Sequence, residues 1–338
     1  MLHKACPLLP SWAAMGHPAE EKNRSHPAGP LSRSPSQDAN LPSSEAPNAA
    51  TADLDTLSTA AAVRLFREQD ARILEALEGS APAIEAAICL IAARLEAGGR
   101  LFYLGAGTSG RLGVLDAVEC PPTFQTPPEM MQGILAGGPE AMFRSQEGAE
   151  DDTQAAALDL DARALSGGDV VMGISASGTT PFVLGGLAHA RNLAAATILV
   201  TCCPAEASPA FDVTISLDTG PEVLAGSTRL KAGTATKMAL GTISTLVMVK
   251  LGRVYGNRMV DVATRGNAKL ERRGLHLVSE LGRVDLACAR ASLAAADGQV
   301  KVAILMSRRQ LSAAAARAAL EQHSLREALS GHFVPGSK

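Results

Sequence analysis

Two short stretches of this 338-residue chain crowd hydroxyl groups beside glycines, a combination suited to holding an anion. In the first, GAGTSGR at 105–111, the apolar run at 101–104 lies between Gly98-Gly99 and Gly105 and reads as a buried strand of a parallel sheet. From Ser109 onward Leu112, Leu115 and Val118 recur at helical spacing, so Thr108, Ser109, Gly110 and Arg111 fall at a helix N-terminus. Such an end presents unpaired N–H groups and the positive pole of the helix dipole. In the second, SASGTTP at 175–181, a strand at 169–174 runs into Ser175, Ser177, Gly178, Thr179 and Thr180, and Pro181 opens a helix extending to 193. Ordinary helix capping would account for one or two of these four hydroxyls, and all four together predict a second anion cradle.

GAGTSG also satisfies G-x-G-x-x-G, the pattern of a dinucleotide site. That site needs a second strand ending in an acidic residue about 20 positions on. Here Cys120-Pro121-Pro122 predicts an early end to the helix, and no strand closes on a well-placed Asp or Glu. The hydroxyls of Thr108 and Ser109 suit a single phosphate monoester, because a pyrophosphate wants bare backbone. A third polar stretch, EGAEDD at 147–152, carries four carboxylates, and by composition alone it is a solvated helix start. A fourth, GSTRLK at 226–231, precedes a long helix expected over 233–252. Its uncharged run at 238–249 is shorter than the roughly 20 residues of a membrane span and reads as core or interface.

These stretches need a frame. Further strands are expected at 132–135, 196–201 and 212–217, alternating with helices, which predicts an α/β protein built on a parallel sheet. Ahead of the sheet, one helix carries Leu65, Phe66, Ile73, Leu74 and Leu77 and ends at Gly79. A second opens at Ser80 and Pro82 and presents Ile84, Ile88, Ile91 and Leu95 as a packing stripe. A helix is expected over 139–146, and two or three more, rich in alanine, from about 275. Residues 1–50 hold eight of the 19 prolines and read as disorder or as a misplaced start, with Met15 as the other start; Pro7 and Pro10 interrupt any secretory signal. A net charge of −3 offers no broad attraction for nucleic acid or an anionic membrane. Six cysteines without a C-x-x-C pair point to reduced thiols, a cytoplasmic protein and no structural zinc.

With residues 101–124, LFYLGAGTSGRLGVLDAVECPPTF, three further segments carry a family likeness: PPEMMQGILAGGPEAMFRSQEGAEDD, GISASGTTPFVLGGLAHAR and GPEVLAGSTRLKAGTATKMALGTISTLVMVKLGRVYGNRMVDV. From about residue 50 to the C-terminus the chain resembles the N-acetylmuramic acid 6-phosphate etherases, members of the sugar isomerase (SIS) group of phosphosugar-binding domains. The resemblance implies a parallel-sheet, three-layer SIS domain (a flavodoxin-like or Rossmann-like sandwich) over 99–260. N-terminal helices at 51–98 would pack on it, and a small C-terminal helical subdomain would occupy 261–338.

The activity implied is removal of D-lactate from N-acetylmuramic acid 6-phosphate by elimination and water addition, with no cofactor or metal, in a homodimer. Resemblance assigns Glu119 as the acid that protonates departing lactate and Glu150 as the base at C2. It groups Thr108, Ser109, Gly110, Arg111, Ser175, Ser177, Gly178, Thr179, Thr180, Ser227 and Lys231 as substrate-binding. Thr179 departs from the pattern, since many members carry Arg there, and Arg111, Arg229 and Lys231 are the cations left to replace that contact. A phosphosugar-binding regulator and a sugar-phosphate isomerase are the alternatives on the same fold; the glutamate pair argues against the regulator.

Overall fold

The computed structural model describes residues 42–205, 208–262, 264 and 268–330. Strands β1 (Leu101–Gly105), β2 (Met131–Leu135), β3 (Val170–Ile174), β4 (Ala196–Thr201) and β5 (Val213–Ser216) form one sheet, parallel throughout, in the order β2-β1-β3-β4-β5. Every residue of β1, β3 and β4 is buried, as central parallel strands must be when helices cover both faces. The helices are α1 (Thr59–Gly79), α2 (Ala81–Glu96), α3 (Gly107–Phe124), α4 (Ala155–Asp161), α5 (Pro181–Asn192) and α6 (Lys231–Lys250). Because side chains alternate along a strand, Leu101 and Tyr103 pack with α2, α3 and α6, while Phe102 and Leu104 pack with α4 and α5. The result is a three-layer α/β sandwich.

Local chemistry explains most of the boundaries. Ser58 Oγ caps α1 by accepting from Ala61 N at 3.3 Å, and Pro82 sits in the first turn of α2, where its missing N–H costs nothing. Ile84, Ile88, Ile91 and Leu95 are all buried, each stabilising the layer by about 1.5–3 kcal/mol relative to exposure.

Four expectations need correction. Helix α3 does not stop at Cys120-Pro121-Pro122 but runs through both prolines to Phe124. The prolines fall in its last turns, so the lost donors affect only the carbonyls of Ala117 and Val118, and burial of Cys120 and Phe124 holds the end down. The helix expected over 139–146 is a single 3-10 turn, Pro139–Met142. The C-terminal helices begin at 268 and not about 275, and number five and not two or three: after a small hairpin, β6 (Val254–Tyr255) and β7 (Arg258–Met259), come α7 (Ala268–Gly282), α8 (Leu286–Ala295), α9 (Val300–Arg309), α10 (Ala313–Gln322) and α11 (Leu325–Ser330), sharing a separate core around Val278, Ala303, Ile304 and Leu305. Disorder was expected throughout 1–50, yet residues 42–50 contain ordered 3-10 turns and the fully buried Ser44; residues 1–41 lie outside the described part. Among the described residues no single helix is long and apolar enough to cross a membrane.

One buried ion pair fixes the two central strands at their N-terminal ends. Asp169, 1% exposed, accepts from Arg100 N at 2.9 Å, Arg100 Nε at 3.1 Å and Arg100 Nη2 at 2.8 Å, and from Ser166 N at 2.8 Å. Burial pushes the Asp169 carboxyl up, but Arg100 and Ser166 outweigh it and hold the group below the ordinary carboxylate range. A depressed folded-state pKa contributes stability that is complete above the unfolded value and is lost as pH falls through the folded one. Asp169→Asn should therefore cost about 3 kcal/mol at neutral pH, with the gap to wild type narrowing only in acid below the usual carboxylate range. Urea unfolding at a series of pH values measures this; a gap independent of pH would remove the ion pair as its source.

Candidate active site

The two hydroxyl stretches leave neighbouring strands at the same sheet edge. Gly105 at the end of β1 is in register with Ile174 at the end of β3, and the order β2-β1-β3-β4-β5 places the switch in chain direction between these two strands. Ligands of open α/β sheets gather at that crevice, beyond the carboxyl ends of the strands.

The first cradle depends on backbone contact. A Cβ on Gly110 would lie 2.4 Å from Gly105 O and one on Gly105 would lie 2.6 Å from Gly110 N, so only glycine lets the first turn of α3 press onto the strand end. Gly107, with φ 52°, starts the helix two residues earlier than the leucine spacing indicates. Thr108 and Ser109 are half-buried in that first turn. Arg111 Nε donates to Ala141 O at 3.0 Å and Met142 O at 3.2 Å, which fastens the guanidinium to the Pro139–Met142 turn.

In the second cradle the hydroxyls bond to one another. Ser175, 1% exposed, has its Oγ 2.8 Å from Thr180 Oγ1, and Ser177 Oγ lies 2.9 Å from Thr179 Oγ1. Thr180 N and Thr179 N donate back to Ser175 Oγ and Ser177 Oγ at 3.3 and 3.2 Å. Gly178 has φ 77°, and a Cβ there would lie 3.0 Å from Thr201 Oγ1. Thr179 is exposed at the rim.

A third helix N-terminus reaches the same place. A Cβ on Gly233 would sit 3.4 Å from Thr108 Cγ2, so the first turn of α6 rests against the first cradle. Its amides are already taken: the fully buried Glu222 accepts from Lys231 N at 3.0 Å and Ala232 N at 2.9 Å. Sequence reading missed Glu222, whose only signal was a carboxylate within GPEVL, nine residues ahead of Lys231. Lys231 is buried with Nζ turned toward Gln69 Oε1 of α1 at 3.5 Å; burial lowers its pKa, with Glu222 opposing. Ser227 is half-buried in the loop before α6.

The two glutamates stand apart. Glu150, exposed in the turn Ala149–Asp151, shares a cavity of about 340 Å³ with Gly107, Arg111 and Glu147, so it adjoins the first cradle. Glu119 lies twelve residues along α3 from Gly107, which is about 18 Å of helix. It is exposed beside Leu115 and Val118, themselves 42% and 57% exposed, so within one chain its carboxyl stands in solvent. One turn earlier Asp116, also unforeseen, accepts from Tyr103 Oη at 2.8 Å and Ser244 Oγ at 3.1 Å, tying α3 to β1 and α6. Burial raises Asp116, and burial together with Asp116 raises Tyr103 well above the usual phenol range. Among the described residues no three His, Cys, Asp or Glu side chains converge as a metal site requires.

A parallel sheet with hydroxyl-lined turns at its switch point is the architecture of an SIS-type domain, and residues 83–191 match the model of the glucokinase regulatory protein N-terminal SIS domain. The N-acetylmuramic acid 6-phosphate etherase of Parasynechococcus marenigrum (strain WH8102) is 53% identical over 280 residues, covering 82% of this chain and 88% of that one. Those of Synechococcus sp. (strain CC9605) and Gloeobacter violaceus are 51% and 54% identical, covering 88% and 81% of this chain and 95% and 90% of theirs. The chain belongs to the N-acetylmuramic acid 6-phosphate etherase family.

A phosphate seated between the cradles would lose a charge-assisted hydrogen bond in Ser177→Ala. The expected outcome in titration calorimetry is a fall of about tenfold or more in affinity for a 6-phosphosugar and little change for the unphosphorylated sugar. Equal losses for both would place Ser177 outside the phosphate site.

Proposed function

We propose that this chain cleaves the D-lactyl ether of N-acetylmuramic acid 6-phosphate, releasing D-lactate and N-acetylglucosamine 6-phosphate, as a step in reuse of cell-wall sugars. The observation that carries the reading is the pair of hydroxyl cradles at one switch point in a chain about half identical to etherases along most of its length. Thr108, Ser109 and Gly110 on one side, with Ser175, Ser177, Gly178 and Thr180 on the other, hold the phosphate. Arg111, Ser227 and the exposed Thr179 border it, and Lys231 acts from behind through Gln69.

Opening the sugar to its aldehyde makes the C2 proton acidic. Glu150 removes that proton, the electrons form the C2–C3 double bond, and the C3–O bond breaks as Glu119 protonates the departing lactate oxygen. Water then adds at C3, its proton passing to Glu119, and C2 is reprotonated. No step needs a change of oxidation state or an outside reductant, and two carboxyl groups suffice for the proton transfers.

A single chain holds Glu119 too far along α3 to serve its own cradle, and this supports a homodimer in which Glu119 serves the site of the other copy. The outer faces of α1, α2 and α6 offer an apolar groove of about 630 Å³ lined by Leu74, Leu77, Ile84, Met238, Leu246 and Val249, a surface that favours pairing. Five free cysteines among the described residues fit a reducing cytoplasm, and burial pushes the thiols of Cys120 and Cys202 up to about 12.

Incubating the protein with the muramic substrate and assaying lactate separates the etherase from a regulator or an isomerase on this fold, neither of which releases lactate. Glu119→Gln should fold normally and lose about 10² to 10⁴-fold in rate. Mixing Glu119→Gln with Glu150→Gln chains should restore activity, since a mixed dimer has one site with both glutamates intact. Absence of recovery in a demonstrated mixed dimer would return Glu119 to its own chain's site.

A further inference from the structure

Residues 42–51, of which all but Thr51 were assigned to disorder by composition, are fastened to the supports of both cradles. Asn48 uses its whole amide: Oδ1 accepts from Ala50 N at 3.0 Å, while Nδ2 donates to Gln69 Oε1 at 2.8 Å and to Pro221 O at 3.2 Å. Thr51 Oγ1 donates to Val223 O at 2.9 Å. Pro221 and Val223 flank Glu222, the carboxylate that holds the first amides of α6 against Thr108. Gln69 Oε1, the acceptor for Asn48, is also the atom facing Lys231 Nζ. A second route leaves from Ser44: Cys203 Sγ donates to Ser44 Oγ at 3.4 Å, Cys203 N to Thr201 Oγ1 at 3.3 Å, and Thr201 Oγ1 to Ala176 O at 3.2 Å, inside the second cradle.

The loop between β5 and α6 contains neither helix nor strand, so its shape depends on what it touches. Among the described residues the hydroxyls of Ser43 on the segment and Thr219 on the loop have no hydrogen-bond partner, while Asn48 and Thr51 bond to the loop backbone and the Glu45 carboxylate lies beside Gly226. We propose that residues 42–51 are a positioning strap for the phosphosugar site, in which Asn48 sets the loop carrying Glu222 and, through Gln69, the ammonium of Lys231. The proposal rests on the etherase reading for the identity of the substrate and on the hydrogen bonds alone for the strap. Asparagine is required because the position needs a donor toward two oxygens and an acceptor toward Ala50 N; aspartate keeps the acceptor, loses both donations and turns negative charge toward Gln69 Oε1 and Pro221 O.

The test uses the full chain with Asn48→Asp, and Thr51→Val as a near-isosteric second variant that removes the Oγ1 bonds to Val223 O and, within the segment, to Asn48 O. The expected result is a KM for the muramic substrate raised about tenfold with kcat changed less than about threefold, and affinity for N-acetylglucosamine 6-phosphate lowered to match in calorimetry. Amide exchange at Lys231 and Ala232 should quicken while amides of β1 and β3 keep wild-type protection, a localisation that general destabilisation does not produce. Unchanged KM and unchanged exchange at Lys231 and Ala232 in a folded variant overturn the strap, as does exchange quickened equally across the sheet. If wild type releases no lactate but the variants still loosen these two amides and weaken binding of the 6-phosphosugar, the etherase reading fails and the strap stands.

Discussion

Close backbone contact at the end of β1 governs the geometry of this site. Gly105 and Gly110 let the first turn of α3 sit directly on the strand end, so the helix amides open over the sheet edge without an intervening side chain. The strand order does the rest. Helix α3 leaves β1 on one face and α5 leaves β3 on the other, which parts the chain between adjacent strands and sets two hydroxyl-lined turns across a crevice. Their opposition follows from connectivity.

Stability and chemistry are assigned to opposite edges of the same strands. At the N-terminal edge Asp169 and Arg100 satisfy each other and the adjoining backbone, which makes a tight clamp with no spare polar group. At the other edge the buried charges are satisfied unevenly. Glu222 takes two helix amides, and by occupying the N-terminus of α6 it keeps that dipole end from competing for an anion with α3 and α5. Three helix starts approach the crevice, and those of α3 and α5 are the two proposed to hold substrate. Lys231, the first residue of α6, is then held near a buried carboxylate with, among the described residues, a long contact to Gln69, a setting in which the ammonium is costly to keep and sensitive to anything that moves Gln69.

What could be read from sequence was what depends on short-range patterns. The apolar strands, the glycine turn at 105–110 and the hydroxyl cluster at 175–180 each carry their signal within about ten residues, and the structure places them as read. The errors share a cause. Pro121 and Pro122 were read as a helix end because propensity is local, whereas Phe124 and Cys120 are held by the distant core. Residues 42–50 have the composition of disorder and are ordered by partners more than 150 positions away, such as Ser44 with Cys203 and Asn48 with Pro221. Glu222 was silent because the amides it caps become its neighbours only after the chain returns from β5 to α6. The site assignment itself came from family likeness, since a run such as EGAEDD has no physical mark to separate a base from a solvated surface.

Helix α3 carries the argument for the proposed sharing of the reaction between two copies. Its first turn faces the crevice, its inner side packs through Ala117 and Cys120, and Asp116 pins it to Tyr103 and Ser244, so it cannot roll or slide to bring Glu119 nearer. Leu115, Val118 and Glu119 are then left on the outer side together, an apolar patch with one carboxyl in it. Covering that patch by a second copy, as the proposed dimer requires, would remove water from Leu115, Val118 and the Glu119 carboxyl at once. The proposed base stands elsewhere: Glu150 lines a cavity together with Arg111 and Gly107. Supplying the two carboxyls from different elements, and in the proposed dimer from different chains, lets each environment be set without compromising the other.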